Sequence, residues 1–156
     1  MSKWKKYLPL AVHIGIAWGA AGLSFLLAGG QNMQSYQTLQ QPPLAPPGWL
    51  FPVVWSVLYT LMGVSAWLVW KQPGGKGPQR QAYFLQLALN VLWTPVFFRL
   101  QRYWLAFFLL LALWLAIGNM ILRFREKSTP AAALQLPYLL WVTFAGYLNV
   151  MIAWLN

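Results

Sequence analysis

Apolar residues fall into five long stretches along this chain, at about residues 8–28, 49–70, 82–98, 104–122 and 134–154, separated by polar or proline-rich segments. A helix rises 1.5 Å per residue, so about 20 apolar residues cross a hydrocarbon core of about 30 Å. The pattern predicts an all-α membrane protein, a single transmembrane domain over residues 1–156 built as a bundle of five transmembrane helices. The first run, Leu8 to Ala28, is longer than the apolar region of about 7 to 15 residues in a signal peptide, and is read as a retained helix.

The segments between the stretches differ in character. The first, Gly29 to Gly48, has no charged residue; it carries Gln31, Asn32, Gln34, Gln37, Gln40 and Gln41, then Pro42, Pro43, Pro46 and Pro47. Proline fixes its own φ and pushes the preceding residue to extended geometry. The segment is therefore expected to be a shaped lid that enters the second helix through Pro52, whereas a flexible tether would favour Gly and Ser. Lys71 to Gln81, with Pro73, Gly74, Gly75, Gly77 and Pro78, reads as an exposed turn.

Composition supports lipid as the solvent. The chain is 60% hydrophobic and 8% charged, against about a quarter charged in a soluble domain, too little polar surface for a water-soluble fold. A net charge of +10 does not imply nucleic acid, because the basic residues lie between the apolar stretches and form no aromatic-interleaved stripe. Alternate loops hold nine and two of them: Lys3, Lys5, Lys6, Lys71, Lys76, Arg80, Arg123, Arg125 and Lys127 on one side, Arg99 and Arg102 on the other. That bias predicts an amino terminus inside, with the first loop and the carboxyl terminus outside.

Catalytic inventory is thin. The chain has no Cys, one acidic residue, Glu126, and one histidine, His13, so no metal site, no cofactor and no acid/base apparatus are expected. Glu126 sits among Arg123, Arg125 and Lys127, where a solvated ion pair is expected. His13, near the inner end of the first helix, is read as a hydrogen-bonded interfacial residue ahead of a haem ligand, since no second ligand type accompanies it.

Aromatic residues are the excess: 11 Trp, 7 Tyr and 9 Phe. Trp4, Tyr7, Trp49, Trp70, Tyr103, Trp104 and Trp154 fall at stretch ends and read as interfacial anchors. Trp55, Trp67, Trp93, Trp114 and Trp141 lie deeper, where each indole N–H needs a partner. Trp55, Tyr59 and Met62 share a face of the second helix, as do Gln86, Asn90, Trp93 and Phe97 on the third, and Trp141, Ala145 and Leu148 on the fifth, beside Tyr138. Gln86 and Asn90 avoid lipid and turn these faces inward. Such an interior suits a flat, conjugated, mostly apolar ligand, and the same spacing also describes plain packing of large side chains; the residues leave both open. On the first helix, Gly15 and Gly19 form GxxxG, extended by Ala11, a packing surface for another helix of this chain or for a second copy in a homodimer, the former being the expectation.

Three stretches resemble the tryptophan-rich sensory protein family, also called the translocator protein or peripheral-type benzodiazepine receptor family. They are YQTLQQPPLAPPGWLFPVVWSVLYTLM at Tyr36 to Met62, QLALNVLWTPVFF at Gln86 to Phe98, and PYLLWVTFAGYLN at Pro137 to Asn149. The paired motifs PPxWxFPxxWxxLY and NxxWTPxFF carry the specificity. The resemblance implies a bacterial member, residing in the cell membrane, that binds porphyrins such as protoporphyrin IX in a pocket within the bundle below the first loop. By position it implies ligand contacts from Tyr36, Pro46, Trp55, Tyr59, Asn90, Phe97 and Trp141; Trp93 and Tyr138 join them from the helical faces above. Two departures change that picture. Ser35 and Gln41 stand where the family usually has Trp and Lys, removing porphyrin contacts, and no Lys or Arg follows Tyr147 to complete a proposed sterol motif. The expectation is a receptor or carrier rather than an enzyme; a light-dependent porphyrin-degrading activity and a regulatory partnership with another membrane protein are the alternatives.

Overall fold

A computed structural model describes residues 2–30 and 32–156. Gln31 and the side chains of Asn32, Met33 and Ser35 lie outside the described residues, and with them the lost indole contact expected at Ser35. The chain forms helices α1 (Lys3–Leu27), α2 (Asn32–Gln37), α3 (Leu50–Trp70), α4 (Pro78–Phe98), α5 (Tyr103–Arg125), α6 (Thr129–Leu134) and α7 (Leu136–Leu155), and among the described residues there is no strand.

Among the described residues, four segments are long and apolar enough to cross a membrane: α1, α3, α5 and the α6–α7 stretch Thr129–Leu155. Another long helix, α4, matches α3 at 21 residues but carries Gln79, Arg80, Gln81, Gln86 and Asn90, which lower its hydropathy. Of these, Gln79, Gln86 and Asn90 are buried, so the helix hides amides inside the bundle.

Local chemistry sets the breaks. α1 stops at Gly29 and Gly30, whose φ angles of 90° and 74° are open to glycine at little cost, and the Gly30 N–H donates to Phe25 O at 3.1 Å. The expected fifth stretch, 134–154, is close to α7, and residues 129–134 just ahead of it form a short helix of their own. Ser128 caps α6 by accepting from Ala131 N at 3.3 Å, and the helix ends at Gln135. Pro137 then opens α7, because its ring has no N–H for the carbonyl four residues back and clashes with it. The first loop likewise is not all loop, since Asn32–Gln37 forms α2.

α1 packs against α3 and α4, α5 against α4 and α7, and α6 against α3 and α5. The α1–α3 contact is made at Gly63, where a Cβ would stand 2.5 Å from Ile14 Cα. This corrects the expectation for GxxxG within one chain: a Cβ at Gly15 or Gly19 meets nothing within 4 Å. The reason is rotation, because Ile14 and fully buried Ala17 face the bundle and turn the glycines outward. Trp70 also departs from its anchoring role. It packs edge-on against Tyr83 at 5.5 Å, Phe124 at 6.3 Å and His13 at 5.5 Å. Trp4, Trp49, Trp104 and Trp154 are exposed.

Gly63→Ala is expected to lower the thermal midpoint in detergent, since overpacking costs about 1–3 kcal/mol. Gly118→Ala, where a Cβ meets nothing within 4 Å, should leave it unchanged or raise it slightly. Equal midpoints for the two variants would show that Gly63 does not set the α1–α3 approach.

Candidate ligand-binding site

Three helices each turn one face toward a common cavity of about 370 Å³. α3 supplies Phe51, Trp55 and Tyr59, at i, i+4 and i+8; α4 supplies Asn90, Trp93, Thr94 and Phe97; α7 supplies Trp141, Ala145, Leu148 and Asn149. Tyr36 of α2, Ala21, Ser24 and Phe25 of α1, Pro52 of α3 and Phe98 of α4 complete the lining. The volume lies within the range of about 300–1,000 Å³ typical of small-molecule sites.

Ring packing holds the aromatic walls in place. Tyr36 meets Phe51 edge-on at 5.1 Å, Phe51 meets Trp141 edge-on at 5.8 Å, and Trp93 stacks on Phe97 at 5.1 Å. Behind them runs a chain of hydrogen bonds. Tyr59 OH donates to Asn90 Oδ1 at 2.6 Å, Asn90 Nδ2 donates to Tyr138 Oη at 2.7 Å, and Tyr138 OH donates to Gln86 Oε1 at 2.8 Å. Trp93 Nε1 donates to Asn149 Oδ1 at 2.9 Å, and Asn149 Nδ2 to Tyr103 O at 2.9 Å. These groups satisfy one another and fix the ring orientations.

Other polar atoms of the lining are left over. Ser24 Oγ, Tyr36 Oη and Trp141 Nε1 are buried without a hydrogen-bond partner. Burial also raises the Tyr36 phenol pKa, keeping it protonated and able to donate. A buried unsatisfied polar group costs about 1–3 kcal/mol, so a guest that brings acceptors to these three donors recovers that cost. The arrangement can enclose a flat apolar body and bind acceptor groups at its edge. It holds no acid/base pair.

Of the residues expected at the site, Tyr36, Trp55, Tyr59, Asn90, Trp93, Phe97 and Trp141 line the cavity. Tyr138 does not; it stands behind the wall, bonded to Asn90 and Gln86. Pro46 does not either, and sits half-buried in the loop. Phe51 was absent from the expected set, although its position four residues before Trp55 on the same face would have shown it. Ser24 carried a weaker signal than the α4 amides, because a serine hydroxyl can bond a carbonyl of its own helix and so tolerate lipid.

The loop after α2 is tied to α7. Tyr147 OH donates to Pro43 O at 2.6 Å, Gln40 N–H donates to Asn156 Oδ1 at 3.2 Å, and Asn156 Nδ2 returns to Gln40 O at 3.3 Å. Gln41 donates to Tyr36 O at 2.5 Å, which braces the loop beside the cavity. Elsewhere, His13 Nδ1 lies 2.6 Å from Pro9 O, and Glu126 pairs with Arg123 at 3.6 Å, both exposed. Among the described residues, no three His, Cys, Asp or Glu side chains come together as a metal site.

The chain is 37% identical over 158 residues to the tryptophan-rich protein TspO of Chlorobaculum tepidum, an alignment covering 97% of this chain and 98% of that one. It is 40% identical over 114 residues to the tryptophan-rich sensory protein of Cereibacter sphaeroides, covering 73% of this chain and 72% of the relative. It is also 38% identical over 124 residues to the translocator protein of Ovis aries, covering 77% and 73%. A family model described as TspO/MBR family matches residues 9–155, which takes in the long helices apart from the first turns of α1 and the whole cavity lining. With its apolar helices and tryptophan-lined interior, this chain is an integral membrane protein that belongs to the TspO/MBR family.

Proposed function

We propose that this protein is a membrane receptor or carrier that encloses a porphyrin-type tetrapyrrole, such as protoporphyrin IX, or a similar flat apolar ligand. The observation that carries the reading is the cavity itself, with indoles at Trp55, Trp93 and Trp141 and unpaired buried donors at Ser24, Tyr36 and Trp141. A macrocycle with carboxylate side chains matches both features: its ring stacks on aromatic faces and its carboxylates accept hydrogen bonds. In this reading α4 is the fifth membrane span, its buried amides facing the bundle and its outer face the lipid. The amino terminus lies inside, the loop after α2 lies on the outer side of the cell membrane, and that loop closes the cavity as a lid held by Tyr147 and Asn156.

Protoporphyrin IX should quench tryptophan fluorescence saturably in detergent. Trp55→Phe and Trp141→Phe together should weaken its binding at least about tenfold, equivalent to about 1.4 kcal/mol; unchanged affinity would remove the pocket assignment. Tyr147→Phe deletes one loop bond worth about 1 kcal/mol, so stopped-flow dissociation should accelerate about fivefold if the loop is a lid. A wild-type rate would count against the lid. In liposomes, faster porphyrin entry with the protein than without it is expected of a carrier, and equal rates leave the receptor alone.

A further inference from the structure

The buried face of α4 carries a polar stripe that continues well beyond the cavity. Asn90, Gln86, Tyr83 and Gln79 lie at i, i−4, i−7 and i−11, one face over about 16 Å of helix, and none is more than 3% exposed. Asn90 is satisfied on both sides, and Gln79 Nε2 donates to Glu126 Oε2 at 3.1 Å and to Arg123 O at 3.3 Å. Between these two ends the accounting fails. Gln86 Nε2 and Tyr83 Oη have no partner, nor do Gln79 Oε1 and both polar atoms of Gln135 at the α6–α7 junction. Gln135, wholly buried where α6 gives way to α7, lies three residues before Tyr138, whose hydroxyl bonds Gln86.

Reorienting the side chains does not remove the deficit. If Gln86 turned its amide over, Nε2 would meet Tyr138 and Oε1 would become the orphan. Wholly buried polar atoms are nearly always paired with protein or with ordered water, and several in one region point to a guest. The guest must be small, neutral, and both donor and acceptor: Gln86 Nε2 only donates, Gln135 does both, and no charged side chain is among them. We propose that this part of the core is a second binding site, a pocket of ordered water held by Tyr83, Gln86 and Gln135 beside the α6–α7 junction. The water extends the Tyr59–Asn90–Tyr138–Gln86 chain toward Gln79 and Glu126, giving one hydrogen-bonded column from the cavity wall to the Arg123–Glu126 corner. Because water can reorient, Tyr59 can redirect its donor toward an acceptor in the cavity once the Asn90 and Gln86 amides turn over: Asn90 Nδ2 then donates to Tyr59, Tyr138 to Asn90 Oδ1 and Gln86 Nε2 to Tyr138, and water donates to the freed Gln86 Oε1.

Two measurements test the site. In the full-length protein, Tyr83→Phe and Gln135→Met should each lower the thermal midpoint by a few degrees, because bound water loses a partner. A raised or unchanged midpoint overturns the proposal, since deleting a dry, unsatisfied group is neutral or stabilising. Should either variant fail to fold, a high-resolution structure of the wild type decides. Ordered water within hydrogen-bond distance of Tyr83 Oη, Gln86 Nε2 and the Gln135 amide is expected, and a dry core or direct pairing of these side chains overturns it.

Discussion

The Tyr59 hydroxyl donates to Asn90, Asn90 donates to Tyr138, and Tyr138 donates to Gln86, so three helices are joined by one run of hydrogen bonds in the bundle interior. In hydrocarbon there is no water to solvate an amide or a phenol, so each such group must find its partner inside the protein. That constraint turns the Gln86–Asn90 face of α4 inward and draws α3 and α7 to it. Trp55 and Tyr59 on α3, Trp93 and Phe97 on α4, and Trp141 on α7 then meet at one cavity, because they share those inward faces.

Apolar packing supplies the rest of the frame with little direction of its own, since lipid tails are as apolar as leucine and association in a bilayer rests on close contact and internal polar bonds. Close contact is achieved at Gly63, where α3 meets the backbone of Ile14, and in the Trp70, Tyr83 and Phe124 cluster at the other end of α3 from the cavity. The cavity lies between rigid parts. Its rings are fixed by neighbours, Trp93 by its bond to Asn149 and Asn149 by its bond to Tyr103 O, while Ser24, Tyr36 and Trp141 keep free donors.

Several of these features were legible residue by residue. The i, i+4 spacing of Trp55 and Tyr59, and of Gln86 and Asn90, specified which faces carry the site, because helical geometry converts spacing into direction without further information. Tyr138 was correctly turned inward, but spacing could not tell a lining residue from one standing behind the lining. The opposite happened on α1: GxxxG pointed to a close contact inside the chain, and the contact formed one residue away at Ile14 against a glycine on another helix. A helix that is apolar all round gives no clue to its rotation.

Sequence by itself determined the all-helical class, the apolar segments suited to lipid, the proline-rich character of the first loop and the inward faces of three helices, since each depends on local composition or on helical periodicity alone. Only the tertiary structure decided that α1 contributes Ser24 to the cavity, that Pro46 stays outside it, that a short helix, α6, precedes the last segment, and that Tyr147 and Asn156 hold the loop. Those outcomes depend on which helices become neighbours and how each is rotated, quantities set by contacts between residues far apart in the chain.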